Sequence, residues 1–256
     1  MILKCIKPNI HLSPYIREFW ILENDSMNHT ELVYPTGEVQ ILFHFGKPFQ
    51  KIDQSGEVTK QPQMAICGQN LSSGKVLAEK NSGMVGVIFY PHTAQAFLPI
   101  PMNEITNIEV DVADVFNDWK NYHQQFLDCE TNGSRIRLIE DFLINKLNIK
   151  NQIHFNIVQE SVMDLKISNG NIQVRDLAKK YYVSERNYER LFKRSVGISA
   201  KKTADIFKFN NAVYLIQKDF SITDISYLSG YYDQSHFIKK FKQFCGITPL
   251  QYRKMM

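Results

Sequence analysis

The 256-residue chain lacks the features that mark membrane, fibrous and disordered proteins. It has only 12 Gly and 9 Pro, and 44% of its residues are hydrophobic against 22% charged, which excludes a disordered, collagen-like or low-complexity protein. Its longest apolar stretch, residues 84–90, is far shorter than the roughly 20 residues that span a bilayer. Lys4 and Pro8 come too early for the apolar core of a signal peptide. We therefore expect a soluble, cytoplasmic protein with no membrane partner.

Cysteine is scarce and dispersed. Cys5, Cys67, Cys129 and Cys245 form no C-x-x-C pair, and this spacing does not indicate a zinc knuckle or a disulfide scaffold. We predict reduced and mostly buried thiols, with a redox-sensing thiol as the alternative.

Charge is distributed unevenly, although the net charge is only +4. Residues 166–256 contain 17 Lys and Arg against 7 Asp and Glu, a net charge of +10, which leaves −6 on residues 1–165. A basic C-terminal third on an acidic body is typical of a chain in which one domain meets a polyanion. Solvated basic helices would give the same count, so charge alone does not decide between them.

The order of elements predicts an α+β protein with two domains. Residues 16–22, 39–45 and 84–90 are β-branched and aromatic runs separated by turn residues, which favours an antiparallel β-barrel or sandwich. Apolar residues at three- and four-residue intervals predict helices over 114–129 and 134–147. We place the boundary near residue 150, between an N-terminal domain (1–150) and an all-α domain (151–256); the helices within 112–148 could pack on either.

The helical third nearly repeats itself. Residues 191–199 match 240–248 at an offset of 49, and 174–178 match 222–226 at an offset of 48, so the second copy has one extra residue in its turn. Each copy reads as a short helix, a turn and a longer helix capped by Ser184 or Asp233, which is the helix-turn-helix layout.

The second helix of each copy is expected to have an apolar face and a basic face. Tyr188, Leu191 and Phe192 share one side of the first, as Phe237, Phe241 and Phe244 do in the second. The opposite faces suit a major groove, where arginine reads guanine bidentately and lysine neutralises phosphate. Their residues are Arg186, Glu189, Arg190 and Lys193 in the first copy and Ser235, His236, Lys239 and Lys242 in the second.

Residues 172–253 resemble the DNA-binding domain of AraC/XylS-type bacterial transcription regulators. The motifs that carry the resemblance are Ser221–Ser226, Gly230-Tyr231, Asp233–Phe237, Phe241-Lys242 and Gly246–Arg253. Tyr231, Ser226 and Lys208 depart mildly from the family pattern, which commonly has Phe, Ala and Arg there.

The resemblance implies two helix-turn-helix units, joined by a linker helix, that reach adjacent major grooves about 34 Å apart. It assigns base contacts to Arg186, Glu189 and Arg190 in the first unit. Ile238, expected to be exposed beside the second unit's residues, would touch a thymine methyl. Those residues are Gln234, Ser235, His236 and Lys239. Glu189 would accept a hydrogen bond from cytosine or orient Arg186 and Arg190; both alternatives stay open.

Residues 34–37, 66–69 and 87–91 resemble, more loosely, the cupin-like N-terminal barrel of some of these regulators. Cupin enzymes hold a metal with an H-x-H pair, whereas Phe43-His44-Phe45 offers one histidine, so we expect His44 to be a core or pocket-wall residue. No nucleophile elbow or phosphate loop occurs in the sequence. We therefore expect no catalytic residues, metal or cofactor, and the sequence identifies no effector-binding residues.

The leading hypothesis is a dimeric, sequence-specific transcription regulator that binds double-stranded DNA. The resemblance implies a small-molecule effector for the barrel, and RNA polymerase as a partner if the protein is an activator. The competing hypothesis is a small-molecule-binding or catalytic barrel for which the helical domain is only a scaffold.

Overall fold

A computed structural model describes residues 2–25, 27–53, 55–149 and 152–256. In these residues the chain forms two antiparallel sheets followed by helices, which confirms the predicted α+β class. The strands are β1 (Ile2–Ile6), β2 (Ile16–Asn24), β3 (His29–Val33), β4 (Gln40–His44), β5 (Gln50–Ile52), β6 (Val58–Lys60), β7 (Met64–Cys67), β8 (Gly74–Ala78), β9 (Ser82–Phe89) and β10 (Glu109–Asp111).

The strands form a sandwich of two open sheets, which decides between the barrel and sandwich alternatives. One sheet has six strands in the order β1-β2-β9-β4-β7-β10, and the other has four in the order β3-β8-β5-β6. The three predicted strands, over 16–22, 39–45 and 84–90, are confirmed as β2, β4 and β9, the three neighbouring central strands of the large sheet.

The central strands of the large sheet are buried on both faces because their side chains alternate between two cores. Ile41, Phe43 and Val85 point into the core shared with the helices that follow the sheets. Leu42 and Met84 point the other way, into the core between the two sheets. Every residue of β9 is consequently buried, which explains its continuous apolar run.

The helices that follow the sheets pack on the large sheet. They are α1 (Val112–Val115), α2 (Lys120–Asp128) and α3 (Asn132–Lys146), with short 3₁₀ turns at 94–96, 102–104 and 117–119. The Phe43 ring lies 5.0 Å from Trp119 and 5.8 Å from Phe126. The helices within 112–148, which the sequence could not assign, thus share a core with the sheets. The predicted boundary between 150 and 151 lies outside the described residues, so the domain division stays a prediction.

The remaining chain is helical and has its own core. Its helices are α4 (Gln152–Ile167), α5 (Val174–Lys180), α6 (Glu185–Val196), α7 (Ala200–Gln217), α8 (Ile222–Leu228), α9 (Gln234–Cys245) and α10 (Pro249–Met255). Phe192, Phe209 and Phe241 are buried in this one core, so the two copies of the repeat are packed as a unit.

The sheets and the helical unit contact each other directly. Thr106 Oγ1 donates a hydrogen bond to the Gly197 carbonyl at 2.8 Å, and Asn210 Nδ2 donates to the Thr36 carbonyl at 3.0 Å. The Tyr34 ring lies 5.5 Å from that of Phe209 on α7. The N-terminal part of the chain therefore touches both the end of α6 and the linker helix.

The remaining sequence predictions have mixed outcomes. All four cysteines are free; burial raises the pKa of the Cys67 and Cys245 thiols, whereas Cys129 is half-buried and Cys5 is exposed, so the prediction of buried thiols holds for two of the four. His44 is buried and packs against the Phe49 ring at 5.3 Å, which confirms it as a core residue. Within the described residues, no helix is long and apolar enough to cross a membrane.

Candidate nucleic-acid interface

The internal repeat appears in the backbone as two helix-turn-helix units, α5–α6 and α8–α9. Tyr182 and Gly230, 48 residues apart, both adopt the left-handed conformation, with φ of 54° and 71°. The helix caps Ser184 and Asp233 are 49 residues apart. The extra residue of the second copy therefore lies between these two points, as predicted, where Tyr232 is 93% exposed.

Both longer helices begin and end in the same way. The Ser184 hydroxyl accepts a hydrogen bond from the Asn187 N–H at 3.4 Å, and the Asp233 carboxylate accepts one from the His236 N–H at 2.7 Å. Each cap satisfies a backbone donor that the helix leaves unpaired. Gly197 and Gly246 end the two helices in the left-handed conformation that glycine adopts at low cost. The predicted caps are confirmed.

Helix α6 exposes a basic face. Tyr188, Phe192 and Val196 are buried in the helical core, which fixes the rotation of the helix. That rotation leaves Arg186, Arg190, Lys193 and Arg194 exposed. Arg190 Nη2 donates to Asn187 Oδ1 at 2.8 Å.

Glu189 lies at the edge of this face and is half-buried. Burial raises the pKa of its carboxyl, whereas a hydrogen bond from the Ala200 N–H and the charge of Lys193 lower it. Among the described residues, no hydrogen bond or ion pair joins Glu189 to Arg186 or Arg190.

Helix α9 exposes a polar face at its N-terminal end. Phe237, Phe241 and Phe244 are buried. The predicted contact residues Gln234, Ser235, His236 and Lys239 are all exposed, as is Lys242. Ile238 was predicted to be exposed, which is wrong: it is half-buried and packs on the helical core, because it lies next to the buried stripe.

The linker helix α7 holds the second unit in place. The Phe209 ring lies 5.1 Å from Phe241 and 5.3 Å from Phe244. Lys240 Nζ pairs with Asp205 Oδ2 at 3.1 Å, and Lys208 Nζ donates to the Gly230 carbonyl at 3.1 Å. Because Phe192 of α6 is buried in the same core as Phe209, α7 packs against both longer helices.

A cavity of about 420 Å³ lies between the two sheets, and the sequence did not indicate it. Its lining includes Trp20 and nine charged or amide residues from different strands and loops, among them Glu38, Lys51, Gln61 and Glu109. Lys51 Nζ pairs with Glu109 Oε1 at 3.2 Å, and Gln61 Nε2 donates to the same oxygen at 3.2 Å. Glu38 pairs with Arg17, but burial raises the pKa of the Glu38 carboxyl to about 7.

Two family models match the chain. Residues 4–111 match a domain of unknown function (DUF6597), and residues 177–255 match a family described as a helix-turn-helix domain. The second range covers most of α5 and all of α6 to α10, which contain both capped helices.

Curated relatives are similar over part of the chain. The uncharacterized HTH-type transcriptional regulator YdeC of Bacillus subtilis (strain 168) is 27% identical over 141 residues, which is 54% of this chain and 42% of YdeC. The Msm operon regulatory protein of Streptococcus mutans is 29% identical over 121 residues, 46% of this chain and 43% of that protein. The chain thus spans about half the length of the curated relatives it matches.

Among solved structures, ToxT from Vibrio cholerae superposes with a TM-score of 0.49 at 12% identity, covering 93% of this chain and 98% of ToxT.

Proposed function

The chain carries an AraC-type helix-turn-helix domain over residues 177–255, and we propose on that premise that it is a sequence-specific DNA-binding transcription regulator. One observation carries the proposal most directly. Helices α6 and α9 lie in one core, and each begins at a capping side chain and ends at a left-handed glycine. Each also exposes a polar or basic face. Two such helices on a rigid frame suit paired DNA elements about one helical turn apart.

The two helices would read DNA differently because their exposed side chains differ. Arg186 and Arg190 on α6 are the bidentate donors that guanine accepts, and Lys193 would neutralise phosphate. On α9, Gln234 can pair with adenine, with Ser235, His236 and Lys239 as further donors. Glu189, at the edge of this face, would accept a hydrogen bond from cytosine or orient Arg186 and Arg190.

We infer that residues 1–150 are regulatory and residues 151–256 bind DNA. The cavity between the sheets is large enough for a small molecule, so we propose it as the effector site. A ligand that binds one arrangement of the chain better than another would shift the population towards it. A cytoplasmic homodimer belongs to the same proposal, with RNA polymerase as partner if the protein activates transcription.

Selection of bound sequences from random duplexes by the purified chain tests the proposal. The expected product is two short elements about one turn apart, bound about 10³-fold more tightly than scrambled DNA at the same salt concentration. Equal affinity for selected and scrambled duplexes would contradict sequence-specific binding.

Arg190→Ala then tests the assignment of base contacts. Loss of one bidentate contact is expected to weaken binding by about 1–3 kcal/mol and to relax preference at one base position. Lys120→Ala is the matched control, because this exposed lysine on α2 lies outside both longer helices but removes the same charge. Unchanged affinity and sequence preference in Arg190→Ala would refute the base-reading role of Arg190.

A further inference from the structure

Each helix-turn-helix unit carries one tyrosine in its turn that the rest of the protein leaves uncovered. Tyr182 in the first turn is 97% exposed, and Tyr232 in the second is 93% exposed. Within the described residues, neither hydroxyl forms a hydrogen bond and neither ring packs on another ring. The tyrosines that precede them are anchored instead: Tyr181 donates a hydrogen bond to Asp164 Oδ2 at 2.8 Å, and Tyr231 packs on the helical core. The two exposed tyrosines thus have no partner in the described part of the chain.

The first turn carries its exposed tyrosine at a conformational cost. Helices α5 and α8 both end in a turn whose left-handed residue is preferably glycine. The second unit has Gly230 there, with φ of 71°, whereas the first has Tyr182, with φ of 54°. The Val183 N–H donates to the Ala178 carbonyl at 3.1 Å and holds this conformation. Because glycine would avoid the strain, Tyr182 is a strained residue whose side chain makes no contact that would offset it.

In the second turn the exposed tyrosine is the extra residue of the repeat. Val183 and Tyr231 each follow the left-handed residue and pack on the helical core, so they are equivalent. The cap Ser184 follows Val183 directly, whereas Tyr232 stands between Tyr231 and the cap Asp233. The residue that the second copy adds therefore places an exposed tyrosine in a turn whose left-handed position is a glycine.

Both tyrosines lie where the proposed contact with DNA begins. In a helix-turn-helix unit the start of the longer helix reads base edges while the shorter helix crosses the backbone, so the turn between them lies beside the phosphates that border the groove. A tyrosine hydroxyl is one of the side-chain groups that bind phosphate oxygens. The surface at the first turn also attracts an anion, because Lys179 is exposed and forms no ion pair among the described residues.

We propose that Tyr182 and Tyr232 each donate a hydrogen bond from the hydroxyl to a backbone phosphate at the edge of the groove that their own unit reads. The two contacts fix the position of α6 and α9 on the duplex without reading its sequence. Because tyrosine is uncharged, they add affinity without releasing a counterion, unlike contacts made by lysine. This inference rests on the proposed function and adds one contact residue to each unit.

Fluorescence anisotropy with the full chain and a selected duplex measures the two contacts. Tyr182→Phe and Tyr232→Phe remove only the hydroxyl, and each is expected to weaken binding by about 5–10-fold. The same factor is expected on scrambled duplexes, with the dependence of affinity on salt unchanged. Tyr214→Phe is the matched control, because Tyr214 is an exposed tyrosine on α7 outside both turns; it is expected to change affinity less than twofold.

Methylphosphonate substitution, one position at a time, identifies the phosphate that each tyrosine contacts. At one position in each element the neutral group is expected to weaken wild-type binding, and the corresponding Tyr→Phe variant is expected to lose nothing further there. Additive losses at every position, or wild-type affinity in either Tyr182→Phe or Tyr232→Phe, would overturn the proposal.

Tyr182→Gly separates a contact with DNA from a structural role in the turn. Relief of the left-handed strain is expected to raise the melting temperature of the free chain by about 2–4 °C, while DNA binding weakens as in Tyr182→Phe. A lower melting temperature would show that the side chain stabilises the free protein and would overturn the inference for Tyr182.

The wild-type chain tests the proposed function separately. Equal affinity of wild type for selected and scrambled duplexes contradicts sequence-specific binding, whatever the tyrosine variants do. Discrimination by wild type, together with unaltered affinity in Tyr182→Phe and Tyr232→Phe, overturns only the two phosphate contacts.

Discussion

Gly230 is the residue at which a single added methyl group should most directly test how the two helix-turn-helix units are joined. Its φ of 71° is left-handed, and a Cβ at this position would lie 1.9 Å from Oδ1 of Asn171, which precedes α5 in the first unit. Lys208 on α7 also donates to the Gly230 carbonyl. Gly230→Ala should therefore disturb the turn of the second unit, its contact with the first unit and its contact with the linker helix together.

The expected cost has two parts. A non-glycine residue in the left-handed conformation costs about 1–2 kcal/mol, and Tyr182 accepts such a conformation at the equivalent position of the first unit. The overlap with Asn171 adds the cost of forcing a packed side chain to move, typically about 1–3 kcal/mol. We expect Gly230→Ala to lower the free energy of unfolding by about 2–5 kcal/mol.

Urea unfolding of the full chain, followed by far-UV circular dichroism, measures this cost. Asn171→Ala removes the overlapping side chain, so in that background Gly230→Ala should cost only the backbone part, about 1–2 kcal/mol. Gly133→Ala is the matched control: its Cβ would meet only Thr131 Oγ1, at 3.8 Å in helix α3, and should be neutral or stabilising. A cost below about 0.5 kcal/mol, or one unchanged by Asn171→Ala, would refute the reasoning.

Two further predictions concern single side chains. Asp233→Ala removes the acceptor of the His236 N–H and should destabilise the chain by about 1 kcal/mol in the same urea assay. Asp233→Asn keeps an acceptor oxygen and should retain most of the stability. Equal losses in the two variants would contradict a capping role. Glu38→Gln tests pH dependence: burial raises the folded pKa of Glu38 to about 7 from a usual value of 4.5, so the folded chain keeps a proton that the unfolded chain releases. The unfolding free energy of wild type relative to Glu38→Gln should therefore fall as pH rises between these values, and parallel pH profiles would show that Glu38 ionises normally.

The two longer helices of the repeat, α6 and α9, could be predicted because their signals are local. A cap residue such as Ser184 or Asp233, an apolar stripe at intervals of three and four, and a terminal glycine all lie within one helix length. The repeat then supplied each signal twice. The position of the extra residue also followed from the sequence. The two copies are offset by 48 residues before the turn and by 49 after it, so the additional residue must lie in between.

The cavity between the sheets could not be predicted because its residues are brought together by strand pairing. Glu38, Lys51, Gln61 and Glu109 are distant in sequence, and a polar residue in a strand usually indicates a solvent-exposed face. Their inward positions depend on which strands are neighbours, and the crossover that places β9 between β2 and β4 is not encoded in any single segment.

The repeat also concealed a difference between its two copies. Gly197 and Gly246 occupy equivalent positions of the repeat and end their helices with similar φ angles of 98° and 80°. Gly197 is nevertheless buried against Met102 and Gln69 of the N-terminal part, whereas Gly246 is exposed. In the described contacts, the N-terminal part touches the end of α6 directly, through Thr106 and Gly197. It contacts the linker helix α7, which packs against α9, through Tyr34 and Phe209. The N-terminal part therefore contacts the two helix-turn-helix units unequally, an asymmetry that the repeat in the sequence does not reveal.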